Sequence, residues 1–280
     1  MLFPTKFQLN DITVKDLNAK IAERQYFAFA KVLHGYWERL YHITQQHSLS
    51  NIKKTLADIC KNNPEFYNST VDLIPQDKEG TRSLFGVLRR DIDWHYYELI
   101  DFLRNRSDVI WGVHPEGFPT DCHQINPLRR ECVEIMEVIL NPNNTYYDGR
   151  LWKTACLDGT ILDFLNEIRN KKICVVGLNH LANINDNKYW KFEKFDFIQV
   201  QMPLSPKRNE FVKLIINHKK QQSDDIAYLF QLGMLAPWAV CKIWDETKDC
   251  WILDMGKSLD LFVEESKRPY LPFAQNIAWS

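Results

Sequence analysis

Four short apolar runs in the second half of the chain constrain its fold most. They are residues 172–177, 195–201, 225–231 and 250–254, rich in Ile, Val, Phe and Leu. Gly177 ends the first, Gly233 follows the third after one leucine, and Gly256 follows the fourth after one methionine. Stretches with helical spacing lie around them. Residues 161–168 precede the first run. Residues 206–222 carry Pro206 in the first turn and set Phe211, Leu214, Ile215 and His218 on one side. Residues 234–244 form another, with Pro237 in the first turn. A proline is tolerated there because the first helical amide has no partner to lose. Strands alternating with helices of this length imply βαβ units and a parallel sheet.

The first half is more mixed. Residues 14–24 read as an amphipathic helix with Leu17 and Ile21 on one face, and residues 26–33 alternate as a strand does. Residues 50–62, capped by Ser50, and residues 94–106 read as helices. Residues 108–113 read as a strand, and residues 127–140 as a helix ended by Asn141 and Pro142. Asp148 and Gly149 mark a turn. No linker divides the chain. The expectation is one α/β domain over residues 1–280: an open, mainly parallel, Rossmann-like sheet flanked by helices, with a helical insertion at about residues 40–105.

Composition removes other classes. At 45 % hydrophobic and 25 % charged residues, the chain is neither disordered, collagen-like nor a coiled coil. No apolar run reaches the roughly 18 residues of a membrane span. Residues 1–11 lack a secretory signal pattern. The seven cysteines (Cys60, Cys122, Cys132, Cys156, Cys174, Cys241 and Cys250) form no CxxC pair, which points to a reduced, cytoplasmic protein. Lys plus Arg (35) nearly balance Asp plus Glu (36), so no global excess of positive charge invites nucleic acid.

In an open parallel sheet, ligands bind beyond the carboxyl ends of the strands. The residues expected there are therefore the candidates. After the first long strand come Lys31, His34, Gly35, Trp37 and Glu38; after the second, His114, Asp121 and His123. After the later runs come Gly177, Asn179 and His180, then Gln231 and Gly233, then Asp254, Gly256, Lys257 and Asp260. Glycines there let backbone amides approach a phosphate, or simply turn the chain into a helix. His34 and Glu38 share a face if helical, fit for a metal or for acid–base work, or else a core histidine and a surface glutamate paired with Arg39. Asp254 and Asp260 either cap a helix or accept from a ribose or sugar hydroxyl. No GxGxxG, GxxxxGK[ST] or GxSxG occurs, which removes the common dinucleotide, P-loop and nucleophile-elbow readings.

Basic and aromatic residues interleave at Arg82, Arg89, Arg90, Trp94, His95, Tyr96 and Tyr97, then Arg104 and Arg106, with a smaller cluster at His218, Lys219 and Lys220. Arg neutralises phosphates and aromatic rings stack on unpaired bases, though a solvated helix face has the same composition.

Residues 26–38 resemble the "RFGDGEW" strand end of GT-D-type glycosyltransferases. Residues 171–177, 229–236 and 252–260 resemble that family's later "VGP", "aG…a" and "DvGs.lD" segments, in the same order and spacing. Lys31 stands at the Arg of the first motif, Gly35 at its Gly and Trp37 at its Trp. His34 stands at the Asp and Tyr36 at the Glu, and Glu38 follows two residues late. The resemblance implies a single domain that moves a sugar from a nucleotide sugar, usually UDP-linked, to an acceptor hydroxyl. It implies a divalent metal, Mn or Mg, held by the Asp and Glu that this chain does not keep. Lys31, His34 or a nearby Arg can offset the diphosphate charge instead. The candidate acceptor bases are His34, Glu38, Asp148 and Asp121. The acceptor is either a glycan or a hydroxymethylated cytosine in phage DNA, the latter drawing on Arg82, Arg89, Arg90 and Trp94 in a host cytoplasm. A non-catalytic nucleotide-binding protein is the alternative outside enzymology.

Overall fold

The computed structural model describes residues 7–32, 36–37, 90–113, 136–137, 139–200, 207–223 and 225–263, with the side chains of 90–97 excepted. In chain order the elements are β1 (Leu9–Asn10), α1 (Val14–Ala22), β2 (Ala28–Val32), α2 (Arg90–Asn105), β3 (Ile110–Val113) and β4 (Tyr146–Asp148). They continue with α3 (Leu151–Asp158), α4 (Ile161–Glu167), β5 (Lys172–Gly177), β6 (Phe195–Gln199), α5 (Arg208–Lys220), β7 (Ile226–Phe230), α6 (Ala236–Glu246) and β8 (Trp251–Asp254). Short 3₁₀ turns follow β5 (Asn179–Leu181 and Ile184–Asp186), β7 (Gly233–Leu235) and β8 (Gly256–Phe262).

Local chemistry sets several boundaries. Thr13 starts α1 through a reciprocal cap: its hydroxyl accepts from the Asp16 amide at 3.3 Å, and Asp16 accepts from the Thr13 amide at 2.8 Å. Gly159, at φ 85°, ends α3 in a conformation that glycine takes without strain. Pro237 sits in the first turn of α6.

The eight strands form one sheet in the order β1-β4-β3-β2-β8-β7-β5-β6, and every pairing is parallel. Residues of β2, β7 and β8 are all buried, as a parallel sheet covered on both faces requires. Alternate side chains feed two cores. Ala28, Ala30, Val176, Tyr228 and Phe230 pack with α2, α5 and α6. Phe29, Ile173, Val175, Leu229 and Leu253 pack with α1, α3 and α4. Trp152 of α3 bridges Phe29 and Phe164, with ring centroids 5.9 and 4.8 Å away. Such edge-on pairs add about 0.5–1.5 kcal/mol each beyond the area they bury.

The first four strands occupy one half of the sheet and the last four the other. The halves meet where β2 pairs with β8, Ala28 opposite Ile252 and Phe29 opposite Leu253. Strand ends at such a seam are where an open parallel sheet receives its ligand.

Four sequence expectations need correction. Residues 146–148 are a strand that leads into the turn at Gly149, because Tyr146 and Tyr147 pair with Trp111 and Gly112 of β3. Leu214 is 51 % exposed, so the buried side of α5 is Phe211, Val212 and Ile215. The segment after Gly233 opens with a 3₁₀ turn before α6. Two of the three residues in the basic cluster at the end of α5 are committed internally, and Lys220 is exposed. Lys219 donates to Asp249 at 2.8 Å, and the His218 ring nitrogens meet Tyr228 Oη at 2.8 Å and Asp196 Oδ2 at 2.9 Å. The expected helix at residues 50–62 lies outside the described residues, as does most of the 40–105 insertion. Its C-terminal part is α2.

Candidate active site

Every candidate that the structure describes, apart from Arg90 and Trp94, stands at the carboxyl edge of the sheet or in the segments just after it. Two clusters form there, side by side.

The first is built on Lys31, near the end of β2. Its alternation with Phe29 aims it at the α3 side, where an apolar side chain would be the ordinary occupant. Only 6 % of Lys31 is exposed. Its ammonium donates to the Met255 carbonyl at 3.2 Å. Burial lowers the Lys31 pKa, and the charge of Asp254 opposes that. Asp254, at the end of β8, is equally hidden. It accepts from the Gly256 amide at 3.0 Å and from the Lys31 backbone amide. Burial pushes its pKa up to about 6 against the pull of Lys31. Gly256 is needed at its place for two reasons. Its φ is 55°, and a Cβ there would lie 2.4 Å from the Lys31 ammonium.

The second cluster joins three strand ends. Asp260, in the turn after β8, is buried. Its Oδ1 meets His180 Nε2 at 2.8 Å and accepts from the Gln231 amide at 2.5 Å. His180 comes from the turn after β5, Gln231 from the end of β7. Among the described residues Gln231 Oε1 is buried without a hydrogen-bond partner. Asp260 is therefore a ligand of two side chains and not a helix cap, whereas Asp254 does cap its turn.

The remaining candidates fall as follows. Gly177 packs against Leu181, whose Cδ1 would lie 2.5 Å from an added Cβ; Gly233, at φ 59°, has open space there. Asn179 and Lys257 are exposed. Trp37 is fully buried with its indole nitrogen unpartnered among the described residues. Its neighbour Tyr36 donates to the Met234 carbonyl, which ties the segment after β2 to the turn after β7. Asp148 ends β4, two strands from β2, and its carboxylate is taken by the Arg150 guanidinium and amide. His34, Gly35, Glu38, His114, Asp121, Arg82 and Arg89 lie outside the described residues. Arg90 and Trp94 lie on α2, at its start.

Sequence reasoning overlooked four contributors. The Met255 carbonyl carries no side-chain signal. Gly112 and Gly149 abut, with an added Cβ on Gly112 reaching the Gly149 Cα at 3.0 Å and the Lys31 Cγ at 3.5 Å. A glycine inside the strand 110–113 was the visible sign of that close approach. Arg150 could be placed only once β4 was known to be a strand.

Among the described residues, no group of three or more His, Cys, Asp or Glu stands together so as to hold a metal ion. No helix among them is long and apolar enough to cross a membrane.

A solved structure of the highly conserved domain of unknown function 1792, described as having a distinct glycosyltransferase fold, matches with a TM-score of 0.53. The chain shares that domain's fold. The match covers 89 % of this chain and 78 % of that one at 11 % identity. A selenomethionine-substituted structure of the same domain gives a TM-score of 0.51, 10 % identity and coverage of 89 % and 79 %. No protein-family model and no curated protein matches the chain. At this identity the likeness concerns the backbone. What the fold does in this chain must come from its own strand-end residues.

Proposed function

We propose that the protein is a glycosyltransferase that binds a nucleoside diphosphate sugar, UDP-linked, across the β2–β8 seam and moves the sugar to an acceptor hydroxyl. The observation that carries this reading is the buried Lys31 ammonium at the seam of a glycosyltransferase fold. A charge so placed has lost its hydration and interacts strongly with an incoming diphosphate. It also needs no partner of its own from water. Gly256 leaves the room that the ammonium needs, and Gly233 offers open backbone where β7 ends.

The reaction then needs little from Lys31 beyond electrostatics. As the bond from the anomeric carbon to the diphosphate breaks, charge grows on the leaving oxygen, and a fixed cation stabilises it. His34 and Glu38, outside the described residues, are the side chains that would hold the Mn or Mg of the resembling family.

The test is a thermal-shift and turnover panel of UDP-, GDP- and dTDP-hexoses, with and without Mn²⁺. Acceptor arms are a glycan mixture and duplex DNA carrying hydroxymethylated cytosine. A ligand that binds only the folded chain raises Tm. We expect one nucleotide sugar to do so, and Lys31→Met to weaken its binding about ten- to a hundredfold, the range for losing a hydrogen bond to a charged group. No shift with any nucleotide sugar overturns the reading.

A further inference from the structure

The Lys31 cluster accounts for a leaving diphosphate but not for the acceptor proton. A transfer to a hydroxyl must also remove that proton, and a positioned base does so in most such sites. Two carboxylates at the strand ends are spent: Asp148 on Arg150, and Asp254 on the amides of Gly256 and Lys31.

His180 is differently placed. Its side chain is 31 % exposed, while the carboxylate behind it, Asp260, is 3 % exposed. One ring nitrogen, Nε2, points inward to Asp260 at 2.8 Å. A carboxylate only accepts, so Nε2 carries the hydrogen, and in the neutral ring Nδ1 is the nitrogen with the lone pair. Nδ1 makes no hydrogen bond among the described residues. Gln231 closes the arrangement. Its amide donates to the same Asp260 oxygen at 2.5 Å and lies 3.3 Å from Nε2. The Asp260 carboxylate is thus fixed from two sides and cannot swing away from the ring. This is the third-group logic of an activated base: a buried carboxylate sets the tautomer, holds the ring and offsets the charge of the imidazolium.

The placement links the two clusters. Gly256, which seats Lys31, and Asp260, which seats His180, belong to the same 3₁₀ turn after β8. We infer that His180 is the general base of the transfer, with Asp260 and Gln231 as its positioning residues. This rests on the glycosyltransferase reading above. In the step, the acceptor hydroxyl gives its proton to His180 Nδ1 as its oxygen bonds to the anomeric carbon. The bond from that carbon to the diphosphate oxygen breaks, and its electron pair leaves with the nucleoside diphosphate. His180 returns the proton to water.

The experiment measures donor binding and turnover separately, on the full chain. Turnover is followed as transfer to the acceptor found above, or as hydrolysis of the donor where water serves as acceptor. His180→Ala, an exposed change, should fold as the parent does. We expect its kcat to fall about 10²- to 10⁴-fold, the usual contribution of a general base, with donor binding within about twofold of the parent. Added imidazole should restore part of the rate. His180→Gln, which can still contact Asp260 but takes up no proton, should be as slow as His180→Ala. Asp260→Asn should lower kcat and move the acidic limb of the pH profile downward, because removing the carboxylate makes the imidazolium easier to deprotonate. Among the described residues, the groups hydrogen-bonded to the ring are the Asp260 carboxylate and the Gln231 amide. A purely structural role for Asp260 would leave that limb in place, and an unmoved limb removes Asp260 as a positioning residue. Unchanged kcat in His180→Ala with weakened donor binding overturns the base and makes His180 a donor ligand. If the parent itself neither binds nor turns over any nucleotide sugar, the glycosyltransferase reading falls and the base falls with it.

Discussion

The two edges of the sheet solve the same backbone problem in opposite ways. At the amino edge, Arg24 takes a left-handed φ of 54° just after α1 and carries a full side chain there. At the carboxyl edge, Gly256 takes φ 55° and carries none. Arg24 is free to point outward, 72 % exposed, and its guanidinium reaches Asp225 at 3.2 Å. Gly256 has no such freedom, because the Lys31 ammonium occupies the space its side chain would need. The same difference runs through the charges. At the amino edge they sit in shared, partly exposed pairs. Asp225 takes Tyr26, Arg24 and Lys171; Asp196 takes Lys172 and His218; Asp108 takes Arg106 and Lys248. At the carboxyl edge Lys31, Asp254 and Asp260 are buried, held by amides, a carbonyl and neutral or half-exposed side chains. An edge whose charges neutralise one another in water serves the fold. An edge that keeps its charges dry is set up to meet a charged ligand.

The widest separation between the edges should come from pH. Asp254, raised from 3.8 to about 6, binds a proton more tightly in the folded than in the unfolded chain. Stability from this group is therefore present at low pH and lost as pH rises from about 4 to about 6. The size is on the order of 3 kcal/mol at most. The amino-edge carboxylates have the opposite sign. The Arg106 hydrogen bond holds Asp108 far below the ordinary range. Burial raises Asp196, but Lys172 and His218 more than offset it. Their contribution is present above the ordinary carboxylate range and lost as pH falls below it. Urea denaturation from pH 3 to 7 on the parent and on Asp254→Asn measures both. The difference between the two proteins should change across pH 4–6 and be flat above; a constant difference would remove Asp254 as a buried titrating group.

Glycine replacement is the next largest contrast. Gly256→Ala should cost about 2 kcal/mol from the left-handed backbone, with further loss as Lys31 is displaced. Nucleotide-sugar binding should fall with it. Arg24→Gly relieves the same strain at the other edge and gives up one exposed ion pair, so its net change should stay within about 1 kcal/mol. Equal and large losses at both positions, read from denaturation midpoints, would show that the edges do not differ in this respect.

The smallest effect should follow Asp225→Asn. It removes the partner of three groups, yet ion pairs that stay partly open to water contribute only about 0–1 kcal/mol each. A drop of a few degrees in Tm with unchanged kcat and donor affinity is the expected result. A change in turnover would carry function to the amino edge and end the contrast.

Most of the sheet was legible because central parallel strands are buried on both faces and so read as unbroken apolar runs. Residues 172–177 were placed to the residue, and the strands at 226–230 and 251–254 to within one. The strand at 146–148 was not, since three residues of Tyr, Tyr and Asp before a glycine have the local chemistry of a turn. Only pairing with β3 makes them a strand. Leu214 failed for a related reason: helical spacing shows which residues share a face, and packing decides where that face ends.

The candidate site divides the same way. The sequence by itself determined the parallel α/β architecture and which residues end its strands, because hydrophobic period and glycine placement are local signals that survive without a fold. It determined that Lys31, His180, Gln231, Asp254, Gly256 and Asp260 would stand at one edge. Tertiary structure alone decided which of them touch. Lys31 and Gly256 are 225 positions apart and His180 and Asp260 are 80, and no periodicity spans such distances. It also decided their charge state. Whether a carboxylate like Asp254 is raised, or one like Asp108 lowered, depends on how much water and which partner the folded chain leaves it.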